Sequence, residues 1–359
     1  MPITESKPYP VDSRTWPQPG RLDALWMADN FNKEIAANVE QSIAEGRGRP
    51  KLLGLLANGD PAGEMYAKMT QRACTKIGIE YELRRPERLD LEAAVIEANS
   101  DPTVHGLLVY YPVFGGEKDA YLRDVVSVEK DVEGLNHRYR YSLYHNIRTL
   151  DGERKCVLPC TPLACVKVLE ALGAYDGTMP VGKQLANRTA VVFNRSEVVG
   201  RPLAAMLAND GALVYSIDEF GMLLYSAGSV PGTIKVEETT MTKEEVLRRA
   251  EIVVSGVPSK AFIIDADSLR AGAICVNVSQ HMNFGPGTDE RCALVPAMGR
   301  VTIAMLSRNL LRLHANFTPT PTESAKDARA TAPHVNPGMV VAGVIACAAA
   351  LVASWRRGS

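Results

Sequence analysis

The feature that most constrains the fold is a regular alternation of short apolar runs with helix-like segments. The run "KLLGLLA" is followed by a helix-like segment, then by "IEYELRR", a second helix-like segment and "HGLLVYYP". The alternation returns later in the chain with the runs "TAVVF", "ALVYSID", "EIVVSGV" and "GAICVNV". Continuous apolar runs are typical of strands buried on both faces, and helical crossovers between strands require parallel pairing. We therefore predict an α/β protein built on parallel sheets.

Residues that favour helix ends define several boundaries. Asp60 is placed to cap a helix whose end is marked by Gly78, and Thr161 is placed to cap the helix in "PCTPLACVKVLEALG". Before residue 30 we expect an irregular arm. The polar stretch 135–157 interrupts the alternation, and we interpret it as a surface excursion. The stretch 219–241 has no place in the alternation and stays without an explanation at this point.

Composition narrows the classes of function. The length of 359 residues suggests roughly two domains, and a net charge of −1 gives no electrostatic reason to expect a nucleic-acid partner. The seven cysteines are scattered and odd in number, which favours a reducing compartment over a disulfide framework. Cys156, Cys160 and Cys165 lack the spacing of a zinc site. We expect a cytoplasmic protein without a bound metal.

The two ends of the sequence carry different signals. The first twenty residues contain prolines and acids but no apolar core, so they resemble neither a signal peptide nor a transit peptide. The segment 338–355 is apolar for most of its length, although glycine and alanine dilute its hydrophobicity. A buried closing helix is favoured there over a tail anchor, so no membrane partner is expected.

A candidate nucleotide-binding loop follows the run "TAVVF". It lies between a strand and a helix, where backbone N–H groups and the helix N-terminus can hold a pyrophosphate. Asn194, Arg195 and Ser196 stand where glycines would be expected, and Gly200 lets the helix approach the sheet. Asp218 ends the next strand, where an acid can bind the adenosine ribose. An ordinary strand–turn–helix that ends in a solvated aspartate remains the alternative.

Charge at the ribose distinguishes the two nicotinamide cofactors. The Asp218 carboxylate would accept hydrogen bonds from both ribose hydroxyls of NAD and would repel the 2′-phosphate of NADP. Two charges at ~4 Å interact by about 1 to 4 kcal/mol between bulk water and a protein surface, which is enough to set a preference. Arg195 would favour NADP, because it could pair with the 2′-phosphate, unless Asp218 neutralises its charge. We predict NAD.

Four motifs together resemble the methylenetetrahydrofolate dehydrogenase/cyclohydrolase family. The loop "NRSEVVGRP" resembles that family's G-R-S-x-x-V-G-x-P, and "KDVEGLN" resembles its K-D-V-D-G. "PCTP" matches directly, and "VPAMGRVTIAML" resembles a shortened form of the family's last motif. The likeness runs in order from about residue 57 to residue 306.

The resemblance implies a fold with two domains. These are an N-terminal three-layer α/β folate domain and a Rossmann-type NAD domain with a parallel sheet, and the active-site cleft lies between them. We place residues 1–172 together with 303–359 in the folate domain and residues 173–302 in the NAD domain. The family also implies a homodimer.

Two departures from the family pattern bear on the reaction. The family has a lysine four residues after a tyrosine on the first-domain helix, whereas here Tyr66 is followed by Thr70. Its Q-L-P-L appears as "YYPV", so Tyr110 replaces the glutamine. Oxidation of 5,10-methylenetetrahydrofolate needs no proton transfer, but opening the methenyl bridge needs water and a proton acceptor. The sequence therefore resembles the monofunctional, NAD-dependent branch known from fungi, without cyclohydrolase activity.

The resemblance also implies roles for single residues. Tyr66 would stack on the aminobenzoate ring of tetrahydrofolate, Glu133 would bind the pterin edge, and Cys160 would line the cleft; Tyr66 and Cys160 are the catalytic candidates. Thr70 and Tyr110 would contact the substrate, although Thr70 would have no chemical role. The predicted cofactor contacts are Asn194, Arg195, Ser196, Val199, Gly200, Asp218, Val257 and Pro258.

Two other functions stay open. One is a two-domain dehydrogenase of another small substrate, such as an amino acid or shikimate, which would normally need an ionisable acid/base pair that no motif here supplies. The other is a catalytically silent protein that binds folate or NAD. The absence of the family's lysine favours this alternative.

Overall fold

The computed structural model describes residues 16–230 and 232–321, so the apolar segment 338–355 lies outside the described residues. A three-stranded sheet and an eight-stranded sheet, each flanked by helices, form the framework, and the predicted α/β class is confirmed. The first elements in chain order are β1 (Gly20–Arg21), α1 (Leu25–Ala44), β2 (Lys51–Leu55), α2 (Pro61–Lys76), β3 (Glu80–Arg84), α3 (Leu91–Ser100), β4 (Gly106–Val109), α4 (Gly116–Val125), α5 (His137–Tyr144) and α6 (Cys160–Ala171).

The remaining elements build the larger sheet and close the fold. They are β5 (Thr189–Phe193), α7 (Gly200–Asn209), β6 (Leu213–Asp218), β7 (Gly221–Ala227), β8 (Ile234–Glu238), α8 (Lys243–Arg249), β9 (Ile252–Ser255), β10 (Ile274–Asn277), α9 (Thr288–Arg291), β11 (Ala293–Val295) and α10 (Gly299–Phe317). The predicted strands are all present. The predicted domain boundaries stay a prediction.

The three-stranded sheet is parallel, in the order β3-β2-β4. Helix α2, which connects β2 to β3, has the predicted ends. The Asp60 carboxylate accepts hydrogen bonds from the backbone N–H groups of Ala62 and Gly63, and Gly78 has a φ of 79° beyond the last turn. This cap fixes the start of the helix that carries Tyr66 and Thr70.

The eight-stranded sheet has the order β1-β11-β10-β9-β5-β6-β7-β8. Six strands are parallel, and β7 and β8 extend this predicted parallel sheet with antiparallel pairing at one edge. The stretch 219–241 supplies the hairpin. Asp218 pairs directly with Gly221, and so short a connection permits only antiparallel pairing.

Three local predictions are corrected. Helix α1 starts at Leu25, within the expected arm, because Met27, Phe31 and Ile35 are buried at helical spacing. The stretch 135–157 contains α5, which buries Tyr139. Helix α6 starts at Cys160, with Pro159 rather than Thr161 at the N-cap position.

Helix α10 joins the two parts of the structure. It follows the last strand of the large sheet and packs against α1 and α6. One hydrophobic cluster contains Leu52 of β2, Val192 of β5 and Leu310 of α10, so the core is continuous between the two sheets. Within the described ranges, no helix has the length and apolar character needed to cross a membrane.

Candidate active site

A cavity of about 620 Å³ lies at the carboxyl ends of β5, β6 and β9. We call it the sheet-edge pocket. Its lining residues are Phe193, Asn194, Arg195, Ser196, Ile217, Asp218, Glu219, Phe220, Lys243, Val257, Pro258 and Phe262. Six of the eight predicted cofactor contacts are thus brought together. The other two, Val199 and Gly200, lie beside it where α7 begins.

The loop after β5 is held by the side chain of Asn194. This residue has a φ of 94°, a conformation that asparagine tolerates better than most residues. Its Nδ2 donates a hydrogen bond of 2.7 Å to the carbonyl of Gly256, and its Oδ1 accepts one of 2.6 Å from the N–H of Ser196. The asparagine that replaces the family's glycine therefore ties the loop to the end of β9.

Gly200 brings the start of α7 against this loop. A Cβ atom at position 200 would lie 1.5 Å from the carbonyl oxygen of Asn194, so no side chain fits there. No side chain caps α7 at its N-cap residue, Val199. In the first turn the N–H of Arg201 donates to the carbonyl of Ser196 at 3.1 Å, and Pro202 has no N–H. What α7 presents to the loop is the positive end of the helix dipole, which suits a pyrophosphate.

Arg195 and Asp218 form an ion pair inside the pocket. Their closest atoms, Nη1 and Oδ2, are 3.0 Å apart, and the two side chains are 16% and 11% exposed. Arg195 Nη2 also donates to the carbonyls of Ser216 and Gly221, both at 2.8 Å. The guanidinium donors are thus engaged within the protein. A carboxylate keeps acceptor capacity beyond one ion pair, so Asp218 can still accept bonds from a ribose.

The residues predicted to bind substrate form a second group. The Tyr66 cluster consists of Tyr66 and Thr70 on α2, Tyr110 after β4, Glu133 in the loop between α4 and α5, and Cys160 at the start of α6. The rings of Tyr66 and Tyr110 are nearly perpendicular, with centroids 6.0 Å apart. Burial raises the pKa of Tyr66, with smaller contributions from Cys160 and Glu133 nearby. The chain thus assembles these residues from four segments.

Thr70 and Tyr110 are buried and uncharged. The hydroxyl of Thr70 donates to the carbonyl of Tyr66, 2.9 Å away, one turn earlier in the same helix. The hydroxyl of Tyr110 lies 2.8 Å from that of Tyr81. Burial raises the pKa of Tyr110, and Tyr81 raises it further. Neither side chain can therefore act as a base near neutral pH.

Glu133 is presented by a rigid turn. The carboxylate of Asp131 accepts hydrogen bonds from the N–H groups of Glu133, Gly134 and Asn136, at 3.1, 2.9 and 2.7 Å. Gly134 has a φ of 67°, and a Cβ there would lie 2.9 Å from the backbone of Leu158. The backbone that carries Glu133 is therefore held by these contacts.

Glu133 is half-buried, and among the described residues its carboxyl takes part in no ion pair or hydrogen bond, since the contacts at this turn are made by its backbone N–H and by Asp131. Burial raises its pKa to about 8, the charge of Asp131 adds to this, and Arg123 acts against it. Burial also raises the pKa of Asp131, to about 6, although its backbone hydrogen bonds act in the opposite direction. The site therefore holds an unpaired carboxyl that a ligand with N–H donors would stabilise in its charged form.

Cys160 stabilises the turn that carries Glu133. Its thiol donates to the carbonyl of Val132 at 3.2 Å, and the amide of Asn309 donates to Val132 and to Leu158 at 2.9 and 2.8 Å. Burial, and then the nearby Glu133, raise the pKa of the thiol. The thiol is therefore protonated, and its hydrogen bond to Val132 helps to hold the loop that carries Glu133.

Sequence reasoning missed three residues of this site: Tyr81, Arg123 and Asn309. Asn309 had a signal, since it is a polar residue within the apolar run "VTIAMLSRNLLRLH" and buried polar groups need partners. No pattern in the sequence indicated Arg123, because its effect on the pKa of Glu133 depends on the folded structure. In the described ranges, no three His, Cys, Asp or Glu side chains are grouped as a metal site requires.

Two family models match this chain. The catalytic domain of tetrahydrofolate dehydrogenase/cyclohydrolase matches residues 22–133. The NAD(P)-binding domain of the same family matches residues 159–317. The second range contains the sheet-edge pocket, and the first contains all of the Tyr66 cluster except Cys160.

Individual relatives agree with these matches. The methylenetetrahydrofolate dehydrogenase (NAD+) of Dictyostelium discoideum is 49% identical over 300 residues, covering 83% of this chain and 95% of the relative. The enzyme of that name from Saccharomyces cerevisiae is 46% identical over 311 residues, covering 83% and 97%. A solved structure, the NAD-dependent 5,10-methylenetetrahydrofolate dehydrogenase from Saccharomyces cerevisiae, has a TM-score of 0.78 at 42% identity and covers 88% of this chain and 99% of that one.

These similarities confirm the predicted family, the α/β fold with a nicotinamide-nucleotide domain, and the class of oxidoreductase. The chain belongs to the tetrahydrofolate dehydrogenase/cyclohydrolase family.

Proposed function

We propose that this protein oxidises 5,10-methylenetetrahydrofolate to 5,10-methenyltetrahydrofolate with NAD+ as hydride acceptor, and that it does not open the methenyl bridge. The observation that carries the proposal is that Thr70 and Tyr110, beside Tyr66, are buried and neutral. The relatives named as NAD-dependent dehydrogenases support the oxidation itself.

The residues of the sheet-edge pocket fit a dinucleotide. Gly200 and the uncapped start of α7 suit the pyrophosphate, and Asp218 suits the two ribose hydroxyls. A 2′-phosphate would meet the Asp218 carboxylate, while Arg195 is already bound to that carboxylate and to two carbonyls. Bound NAD+ supplies the hydride acceptor, and this pocket selects it by charge.

The Tyr66 cluster supplies orientation for the folate. Tyr66 stacks on the aminobenzoate ring, and the Glu133 carboxylate accepts hydrogen bonds from the amino-pyrimidine edge of the pterin. The folate nitrogen lone pair expels the hydride, so no protein group has to accept a proton. Holding the two reacting rings in place is therefore the main catalytic contribution of these residues.

Opening the methenyl bridge has a different chemical requirement. Water must attack the bridge carbon, and a base must take a proton from that water. Thr70 cannot take it because its hydroxyl is neutral and bonded to the carbonyl of Tyr66. The raised pKa of Tyr110 excludes a phenolate. Glu133 is occupied by the pterin edge, so the cluster lacks a base for the water-dependent step.

A spectrophotometric assay of the purified protein tests the proposal. 5,10-Methylenetetrahydrofolate is supplied with NAD+ or with NADP+, and the decay of added methenyltetrahydrofolate is followed separately. We expect reduction of NAD+, weak reduction of NADP+ and no acceleration of methenyl decay. Accelerated decay would contradict the role given to Thr70, and efficient use of NADP+ would contradict that given to Asp218.

A pair of variants refines this assay. The double variant Thr70→Lys/Tyr110→Gln restores the two family residues and should accelerate methenyl decay, whereas Lys68→Gln, on the exposed side of the same helix, should not. Silence of the wild type with both cofactors, together with ligand-induced thermal stabilisation, would favour the catalytically silent alternative. The cytoplasmic location and the homodimer stay predictions, and sedimentation analysis checks the second.

A further inference from the structure

Helix α5 contacts the loop that precedes α7. The helix belongs to the stretch 135–157, which lies between the ranges matched by the two family models, 22–133 and 159–317. It packs against α7, and its last residue, Tyr144, reaches the loop between β5 and α7. The Tyr144 hydroxyl donates a hydrogen bond of 2.8 Å to Oε2 of Glu197, 53 residues later in the chain. A segment between the two matched ranges therefore holds a side chain of the candidate pyrophosphate loop.

Arg201 is the second partner of the Glu197 carboxylate. Its Nη1 pairs with Oε1 of Glu197, four residues earlier. The same guanidinium lies over the ring of Tyr144, with Cζ 5.4 Å from the ring centroid. Burial raises the pKa of Tyr144 and the charge of Glu197 raises it further, so the phenol keeps its proton and acts as the donor. We call these three residues the Tyr144 triad, and within it each carboxylate oxygen of Glu197 has a partner.

The position of Glu197 makes its charge important for cofactor binding. It follows Ser196, which lines the sheet-edge pocket, and it precedes Gly200, at the start of α7, by three residues. The helix end that suits a pyrophosphate therefore lies next to a carboxylate in the chain, and a pyrophosphate carries two negative charges. A carboxylate about 8 Å from two such charges weakens binding about fivefold even at the dielectric constant of water. This loop therefore suits a pyrophosphate only when Glu197 is neutralised.

We propose that Tyr144 and Arg201 are positioning residues for the cofactor, which neutralise Glu197 and hold its carboxylate against α5 so that the loop accepts a pyrophosphate. The inference rests on the proposed function, because it needs a dinucleotide in the sheet-edge pocket. The pyrophosphate is common to NAD+ and NADP+, so loss of the triad should weaken the binding of both by the same factor. Asp218 differs in this respect, because it acts at the ribose and on the choice between the two cofactors.

Titration calorimetry with NAD+ over a double-mutant cycle tests the inference. We expect Arg201→Gln to raise the Kd about fivefold and Tyr144→Phe to raise it about two- to threefold, on the scale of partly exposed charge pairs. Glu197→Gln keeps the shape of the side chain without its charge, and it should leave the Kd within about twofold of the wild-type value. In the Glu197→Gln protein, the other two substitutions should then have no further effect. Added salt should reduce the effect of Arg201→Gln, because exposed charges are screened.

Rescue by Glu197→Gln separates this role from two others. If Arg201 bound the pyrophosphate directly, or if the triad only stabilised the fold, Arg201→Gln would raise the Kd in the Glu197→Gln protein as well, and the inference would be wrong. An unchanged Kd in the single variant Arg201→Gln would also overturn it. The matched control is Tyr141→Phe, which removes a hydroxyl from an exposed side chain of α5 and should leave the Kd unchanged.

Steady-state kinetics distinguish failure of this inference from failure of the proposed function. In Arg201→Gln, the KM values for NAD+ and NADP+ should rise together while KM for 5,10-methylenetetrahydrofolate stays the same. A changed ratio of the two cofactor KM values would contradict a role at the pyrophosphate. NAD+ binding without reduction would contradict the dehydrogenase proposal alone, and the calorimetric cycle would still decide the role of the triad. A wild-type protein that binds no NAD+ would overturn both.

Discussion

The two pockets of this protein treat buried charge in opposite ways. In the sheet-edge pocket, Arg195 and Asp218 neutralise each other at 3.0 Å, and the remaining guanidinium donors bind carbonyls. In the Tyr66 cluster, Glu133 is held by a rigid turn but has no partner among the described residues, and burial raises its pKa to about 8. The charges of the sheet-edge pocket are paired before its ligand binds, whereas the Glu133 carboxyl gains a partner only when a ligand binds.

This difference shows how each pocket selects its ligand. Because the charge of Arg195 is already paired, it cannot attract a phosphate strongly. The sheet-edge pocket therefore selects between the cofactors by excluding the 2′-phosphate of NADP. An unpaired, half-buried carboxyl is less favourable when charged, so the Tyr66 cluster selects a ligand that supplies N–H donors. Substitutions in the first pocket should therefore change preference between ligands, and substitutions in the second should change the pH dependence of binding.

The largest expected effect comes from breaking the ion pair. Asp218→Ser removes the repulsion of a 2′-phosphate and frees Arg195 to bind it. We expect the ratio of kcat/KM for NAD+ to that for NADP+ to fall by about 100-fold, consistent with 1 to 4 kcal/mol per close charge pair. Steady-state kinetics with both cofactors measures this. Glu219→Ser, the neighbouring carboxylate in the pocket, is the control, and an unchanged ratio in Asp218→Ser would mean that the pair does not set preference.

The next effect is on pH dependence. Below a pKa of about 8, the charged fraction of Glu133 falls by up to tenfold per pH unit. Because the charged form accepts the pterin N–H groups, KM for the folate should fall as pH rises from 6 to 8 and then level off. Glu133→Gln should have a higher KM that no longer varies over this range. A KM profile that is the same in both proteins would exclude Glu133 as the group that titrates.

A smaller effect is expected from Phe220. This side chain is 86% exposed and lines the sheet-edge pocket two residues after Asp218. An aromatic ring there can stack on the adenine, so Phe220→Ala should raise KM for NAD+ by about two- to tenfold, the usual range for an aromatic contact, with little change in kcat. Tyr141→Ala, which removes an exposed ring on α5, should leave KM unchanged. Equal effects of the two variants would point to general destabilisation instead.

His314 provides a control outside both pockets. Burial, together with the nearby His105, lowers its pKa to about 4. In the unfolded chain a histidine takes up a proton below about pH 6.5 and in the folded protein only below about pH 4, so stability should fall with pH in that window by up to about 3 kcal/mol. Denaturation of His314→Asn should show a weaker loss than the wild type. Kinetic constants near neutral pH should be the same, and a change in them would show that His314 communicates with a pocket.

What could be predicted from the sequence was mainly local. The Asp60 cap, the strand runs and the position of Asp218 depend on neighbours in the chain, and the structure has them as expected. The start of α1, the hairpin after Asp218 and the role of Asn309 depend on distant partners. Asn309 binds the carbonyl of Val132, 177 residues away, and no local pattern encodes that contact.

The same limit applies to the candidate site. The sequence indicated that Arg195 and Asp218 would act in opposite directions on the choice of cofactor, but only the structure shows them bound to each other. Glu133 was identified by resemblance, whereas its raised pKa depends on burial and on Asp131 and Arg123. Chemistry that depends on desolvation is not visible in a sequence, because burial is a property of the folded chain.

The path of the chain between the two sheets has a mechanical consequence. The chain begins its described course with β1 at one edge of the large sheet, forms the small sheet next, returns to the large sheet at β5 and leaves it again after β11. Three connections therefore join the two parts, and no single continuous stretch contains all strands of the large sheet. A nick in one connection would leave the other two intact, and any opening of the cleft must bend all three together. Because the hydrophobic core is also continuous between the two sheets, we expect calorimetry to show one melting transition for the described body rather than two.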